Sequence, residues 1–253
     1  MRFQITAACD CQIGRVRSNN EDNFCFDGKC LDVCNEGLVQ PLVMQKAEKK
    51  GAVFAVFDGM GGENYGEAAA FAAAKTMCAP VSVLLQRLMP AEAGWLRLVD
   101  RLNTAVVRAA GKLHTERMGT TMAALCCAAD RVSVCNVGDS RVYRFRENAL
   151  NQLSRDHVEK GASGTRRKAP LTQHLGIDPQ DMRLEPHIET WPSAQGDRYL
   201  LCSDGLTDML TDEEISDIMG KNGDAAACAA SLMQAALDHG GRDNITVIVC
   251  AIT

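Results

Sequence analysis

Four aspartates in this 253-residue chain share one local grammar. Each sits in a polar turn beside an apolar, strand-like run: Asp58 in Val56-Phe-Asp-Gly-Met-Gly-Gly62, Asp139 in Val137-Gly-Asp-Ser-Arg141, Asp204 in Leu201-Cys-Ser-Asp-Gly-Leu206 and Asp243 in Gly241-Arg-Asp-Asn-Ile245. Asp58, Asp139 and Asp204 each have a glycine next to them, and a fifth acidic cluster, Asn20-Glu-Asp-Asn23, lies early in the chain. Carboxylates at strand ends, with glycines that let backbone carbonyls come close, suit hard divalent cations, which take oxygen ligands and keep several waters. Any one Asp-Gly is also an ordinary turn dipeptide. The argument for chemistry therefore rests on the whole set.

Cysteine is the other residue type that invites a chemical reading, at 12 of 253. Cys126, Cys127, Cys135, Cys202 and Cys250 sit inside apolar segments, where a free thiol packs as a small hydrophobe. Cys9-x-Cys11 and Cys30-x-x-x-Cys34 are the spacings nearest a zinc site, but no CxxC pair occurs anywhere. A disulfide framework is not expected in a chain of this size without an apolar secretion segment.

The elements that position these turns follow from local pattern. Strands are expected over Phe3–Cys9, Val53–Phe57, Thr120–Cys127, Val132–Val137, Arg141–Phe145, Arg198–Cys202 and Ile245–Ile252, runs rich in Val, Ile, Phe and Tyr. Helices are expected over Gly66–Cys78, Trp95–His114 and Ala225–Leu237, and Thr211-Asp-Glu-Glu214 has the form of a capping box. The connections Ala128-Ala-Asp-Arg131 and Gly138-Asp-Ser140 are too short for parallel crossovers, so antiparallel sheets with helices laid on them are expected. No repeat, linker or composition break divides the chain, and one domain over 1–253 is the simplest organisation. A net charge of −5 supplies no basic stripe for nucleic acid, and no apolar run reaches the ~18 residues of a membrane span. A cytoplasmic, monomeric protein is expected.

Taken in order, Asn20-Glu-Asp, Asp58-Gly-Met-Gly-Gly, Gly119-Thr-Thr, Gly138-Asp-Ser-Arg, Ser203-Asp-Gly-Leu and Asp243-Asn resemble the metal-dependent type 2C protein phosphatases, over about Cys9 to Val249. The resemblance implies an α+β fold, a central sandwich of two antiparallel sheets flanked by helices, with two Mg²⁺ or Mn²⁺ ions at one end. It also implies dephosphorylation of phosphoserine and phosphothreonine proteins. Asp58 would bridge both ions, with the Gly59 carbonyl on one, and Asp204 and Asp243 would complete the other. Glu21 and Asp22 would reach the centre mostly through water, and Asp139, with Asp204, matches the place of a weaker third ion in bacterial members. Two cations sharing and acidifying a water supply a hydroxide for in-line attack on phosphorus. Arg17 falls where the family keeps a phosphate-binding arginine, whereas Arg15 reads as solvated surface. Asp58, Asp204, Asp243 and Arg17 form the expected catalytic set. Asn244 either orients a metal-bound water or caps its turn, and Gly119-Thr-Thr121 is expected to be structural.

The chain departs from the family in three places. Met60 stands where eukaryotic relatives carry the histidine proposed as general acid, as in the bacterial branch, so a metal-bound water is the expected proton source. His157 reads as structural. The flap over Glu159–Pro170 looks short, and with Arg166-Arg-Lys168 it is expected to affect substrate choice more than chemistry. The stretch between Asp27 and Gly51 is longer than in compact bacterial relatives and is expected to form an extended hairpin at a sheet edge. Alternatives to a serine/threonine phosphatase are an inactive phosphoprotein-binding relative, which would have lost a metal aspartate, and a phosphatase of a small phosphorylated metabolite. An opposing serine/threonine kinase is expected by analogy alone.

Overall fold

The computed structural model describes residues 4–47, 51–60, 65–79, 92–115, 118–128, 130–159 and 169–253. The first sheet contains β1 (Gln4–Gln12), β3 (Leu42–Ala47), β8 (Arg141–Arg146), β9 (Ala149–Gln152), β11 (Arg198–Cys202) and β12 (Ile245–Ile252), in the order β3-β1-β12-β11-β8-β9. The second contains β2 (Asp22–Phe26), β4 (Ala52–Met60), β6 (Met122–Ala128), β7 (Arg131–Val137) and β10 (His187–Pro192), in the order β10-β7-β6-β4-β2, with the two-residue β5 (Gly119–Thr120) paired to β4. All these pairings are antiparallel.

Strand periodicity sorts the side chains into three cores. Alternate residues of β1 (Ile5, Ala7, Cys9, Cys11), β4 (Ala52, Phe54, Val56) and β12 (Ile248, Cys250, Ile252) point between the sheets, where they meet their counterparts from β2, β6, β7, β8 and β11. The opposite face of the second sheet (Val53, Ala55, Phe57, Ala124, Cys126) is covered by α1 (Gly66–Cys78) and α2 (Glu92–Lys112). The outer face of the first sheet (Tyr143, Leu200, Cys202, Val247, Val249) is covered by the single turn α3 (Asp204–Thr207), then α4 (Asp212–Lys221) and α5 (Ala225–Asp238). The result is the expected four-layer sandwich. Sheets that are apolar on both faces explain why the five core cysteines are buried and inert to the surface.

The expected capping box is present: the Thr211 hydroxyl accepts from the Glu214 N–H at 3.3 Å, and the Glu214 carboxylate accepts from the Thr211 N–H at 2.8 Å. The Asp27–Gly51 stretch is not a hairpin. After the tight Asp27-Gly28 turn, with φ of 49° and 95°, the chain leaves the edge of the second sheet and crosses to become β3, the edge of the first. A Lys46 Nζ to Asp27 Oδ2 contact of 2.7 Å ties the two edges together. Among the described residues no helix is long and apolar enough to cross a membrane.

Candidate metal centre

Antiparallel pairing brings every acidic turn to one end of the sandwich. Asp22 opens β2 and lies opposite Asp58 near the end of β4 in the pairing register. Asp204 stands two residues after β11, Asp243 two residues before β12, and Asp139 two residues after β7, whose Val137 pairs with Met122 at the same end. Five carboxylates spread over 220 residues of sequence thus share one rim.

The backbone around Asp58 is clamped. Its N–H donates to the Thr121 hydroxyl at 3.0 Å, and its carbonyl accepts from the Thr121 N–H at 2.9 Å and the Thr120 hydroxyl at 2.9 Å. Thr121 Oγ1 also lies 2.6 Å from Ser140 Oγ, which couples the Asp58 turn to the Asp139 turn. The Gly119-Thr-Thr121 segment is therefore structural, as expected, and it acts by fixing Asp58. Gly59 is required by close approach: a Cβ there would lie 2.2 Å from the Gly66 carbonyl oxygen and 2.5 Å from that of Glu21.

Asp22 is anchored between the sheets, and the partners that hold it escape sequence reasoning. Its Oδ2 accepts from the Ser203 and Thr246 hydroxyls, each at 2.7 Å. Burial pushes the Asp22 carboxyl up to about 7 against these hydroxyls, with help from the Asp243 and Glu21 charges. Glu21 is raised by burial and by Glu67, an acid in the first turn of α1 that no motif marks. The only sequence signals are a polar Thr246 in an apolar strand and a serine directly before Asp204.

Asn244 resolves to the second of its two roles, on a wider scale than one turn. Its side-chain oxygen accepts from the Glu21 N–H, and its amide donates to the carbonyls of Ile13 and Asn19, each at 2.8 to 2.9 Å. It stitches the whole Ile13–Glu21 loop to the start of β12. Arg15 is exposed, as expected, and its Nε donates to the Leu237 carbonyl at 2.9 Å, in the last turn of α5, with its guanidinium 3.7 Å from Asp238. Arg17 donates to Asp243 Oδ2 at 2.7 Å with both side chains partly exposed. Burial opposes its charge, but Asp243, Glu21 and Asp58 together raise its pKa.

His157 is structural. The Gly138 N–H donates to its Nδ1 at 3.1 Å and its own N–H donates to the Gly138 carbonyl at 3.0 Å, which fixes the turn carrying Asp139. Burial lowers its pKa, in keeping with a neutral ring that accepts at Nδ1. Arg141, in the same motif, is held by Asp156 and the Tyr143 hydroxyl. The base of the flap pairs Val158 with Leu171 and docks Leu175 on Thr120, beside Asp58. A cleft of about 900 Å³ opens at the flap base around Val158, with Arg155, His157, Glu159, Thr172, Glu185 and His187 in its wall. Arg166-Arg-Lys168 lies outside the described residues.

Among the described residues, no three Asp, Glu, His or Cys side chains close on one point as a ready-made cage. Mg²⁺ and Mn²⁺ need none, since such hard ions take one or two carboxylates plus carbonyls and waters. The donor set on this rim is all oxygen, and burial together with neighbouring acids raises the Glu21 and Asp22 carboxyls. Both features fit a centre completed by cations.

Residues 42–240 match the family model described as protein phosphatase 2C. The chain is 31% identical to the serine/threonine phosphatase stp of Listeria welshimeri, over 93% of this chain and 91% of that protein. It is 30% identical to the serine/threonine protein phosphatase PstP of Mycobacterium tuberculosis, over 94% of this chain and 43% of that longer protein. The crystal structure of the catalytic domain of PstP in complex with two manganese ions superposes with a TM-score of 0.76 at 28% identity, covering 99% of both chains.

Proposed function

The chain belongs to the protein phosphatase 2C family and is a metal-dependent serine/threonine protein phosphatase acting on phosphoserine and phosphothreonine proteins, and from that premise we propose which of its residues do the work. Asp58, the Gly59 carbonyl, Asp204 and Asp243 would hold two Mg²⁺ or Mn²⁺ ions, with Asp58 serving both. Glu21 and Asp22 act through water. Asp139, with Asp204, offers a third position. When bound, the ions supply a water acidic enough to attack phosphorus near neutral pH and offset charge on the phosphoryl oxygens.

The chain's own residues shape that chemistry. Thr120 and Thr121 fix the Asp58 backbone, so the carboxylate does not swing as substrate enters. Ser203 and Thr246 hold Asp22 at the seam of the two sheets. Arg17 presents a planar fork to the phosphate, and its pairing with Asp243 aims that fork across the rim. The segment after the flap docks Leu175 on Thr120, next to the Asp58 turn, and would set which protein segment reaches the centre.

One observation carries the assignment: Asp22, Asp58, Asp139, Asp204 and Asp243 arrive at one end of the sandwich from five separate segments, with Arg17 bonded to Asp243. Turnover of a generic aryl phosphate and of a phosphopeptide panel, each with excess chelator and then with Mn²⁺, tests it. Mn²⁺-dependent turnover with preference for phosphopeptides is expected. Full activity in chelator, or a preference for small phosphorylated metabolites, would contradict it.

The same proposal makes residues 1–253 a single catalytic domain, since three apolar cores share two sheets, and makes the enzyme a monomer. It places the enzyme in the cytoplasm, opposite a serine/threonine kinase and away from nucleic acid and membranes. Twelve free cysteines support a reducing compartment, and a net charge of −5 supports the exclusion of nucleic acid.

A further inference from the structure

Gly119 has no side chain, and a histidine uses the space. A Cβ on Gly119 would lie 2.5 Å from His174 Nδ1 and 2.9 Å from its Cε1, so the half-buried imidazole rests on the β5 backbone. Gly119 is the register partner of Met60 in β4. Directly opposed residues of an antiparallel pair project from the same face, with Cβ atoms about 5 Å apart. The His174 ring and the Met60 side chain therefore share one face.

That face carries the Asp58 carboxylate. Side chains alternate along β4, and a Cβ on Gly59 would lie 2.2 Å from the Gly66 carbonyl oxygen at the start of α1, so Gly59 faces the helix layer while Asp58 and Met60 face the other way. Two residues along a strand span about 7 Å, which with the step across puts the ring roughly 8 Å from the Asp58 Cβ. A phosphate ester fits between carboxylate and imidazole.

The neighbours of His174 hold it in place. Leu175 is fully buried and exchanges both backbone hydrogen bonds with Thr120, at 2.8 and 3.0 Å. Gln173 Oε1 accepts from the Glu185 N–H at 3.1 Å, and the Thr172 N–H donates to the His157 carbonyl at 2.9 Å. His174 Nδ1 lies 3.0 Å from the Leu175 carbonyl oxygen, which can only accept, so the Nδ1 proton is committed there. Nε2 is left as the nitrogen that gains and releases a proton.

We propose that His174 is the general acid of this phosphatase, giving the leaving seryl or threonyl oxygen its proton in place of the metal-bound water that the sequence suggests. The inference rests on the phosphatase reading above and supplies a donor on the face where Met60, a thioether, has none. Water adds to phosphorus and gives up one proton to solvent. The ester phosphorus–oxygen bond breaks with its electron pair staying on the leaving oxygen, and the Nε2 proton follows. The neutral ring then takes a proton from solvent, so ester and water become alcohol and phosphate.

Single-turnover rates with Mn²⁺ on a phosphoserine peptide and on nitrophenyl phosphate test this, because nitrophenolate leaves readily without a proton and an alkoxide does not. His174→Asn keeps a donor near the Nδ1 position for the Leu175 carbonyl, and His174→Gln keeps one near the Nε2 position that does not ionise. In both variants, with folding checked by circular dichroism, the phosphoserine rate should fall about 100- to 10,000-fold more than the nitrophenyl phosphate rate. Equal losses on the two substrates would make His174 a structural residue, and an undiminished phosphoserine rate would leave it idle; either overturns the proposal. Unmodified protein that turned over neither substrate would instead overturn the phosphatase reading beneath it.

Discussion

Replacing Arg17 with alanine should move substrate affinity and metal affinity in opposite directions. The guanidinium sits 2.7 Å from Asp243, an assigned metal ligand, and both side chains are partly exposed, at 48% and 31%. Ion pairs so open to water are worth about 0.2–1 kcal/mol, so Tm should hardly change. Losing that competing positive charge should let the centre bind Mn²⁺ tighter by roughly 1.4- to 5-fold. A charge-assisted contact to phosphate is worth about 1.5–3 kcal/mol, so kcat/KM for a phosphopeptide should fall roughly 10- to 150-fold, with KM affected at least as much as kcat. Calorimetric Mn²⁺ titration and steady-state kinetics on the same preparation give both numbers. Arg15→Ala is the control, because Arg15 is engaged with the end of α5 and should cost stability rather than substrate binding. Weaker Mn²⁺ binding in Arg17→Ala, or equal kinetic losses for the two arginines, would refute this reasoning.

Thr121→Ala removes the acceptor of the part-buried Asp58 N–H and the partner of the buried Ser140, and should cost about 1–3 kcal/mol of stability in denaturant titration together with much of kcat. Asp139→Ala should lower turnover while leaving Tm and the pair of ions intact; a lower Tm with unchanged turnover would give Asp139 a structural role only. Asp197 is almost fully buried and accepts from Arg146, Tyr199 and the Ala194 N–H. Burial alone would raise its pKa, but these donors lower it, so its contribution is complete above the unfolded value of about 3.9 and is lost as pH falls below that. Asp197→Asn should therefore lower Tm at pH 7, and the gap to the unmodified protein should narrow as pH drops below about 4.

What the sequence discloses depends on how local the cause is. Arg198–Cys202 and Ile245–Ile252 coincide with β11 and β12, and Gly66–Cys78 with α1, because apolar runs and alanine content decide those elements without help from distant contacts. β2 begins with Asp-Asn and is only five residues long, so its strand character comes from pairing with β4 rather than from its own composition. β3, β9 and β10 are exposed edge strands with polar residues on their open faces and weak patterns. The crossing of residues 27–41 from one sheet to the other depends on which edge is free, a property of the assembled sandwich.

At the site, Asp58, Asp139 and Asp204 are legible as turn residues because an adjacent glycine marks a turn where a strand ends, a mark that Asp22 and Asp243 lack. The supports are not. Ser203 and Thr246 reach Asp22 across 181 and 224 residues, and Asn244 reaches the Glu21 N–H across 223, so only the facing of two sheets reveals them. Arg15 is exposed, as expected, but its partner, the Leu237 carbonyl, lies 222 residues away and so goes unseen for the same reason.

The central claim is that Asp58 holds the ions. Calorimetric titration of Mn²⁺ into the unmodified protein and into Asp58→Asn, at matched concentration and with folding checked by circular dichroism, tests it most directly. The account predicts two ions per chain in the unmodified protein and loss of both high-affinity events in the folded variant, because one carboxylate serves both positions. A folded Asp58→Asn that still binds two Mn²⁺ with unchanged affinity would contradict it.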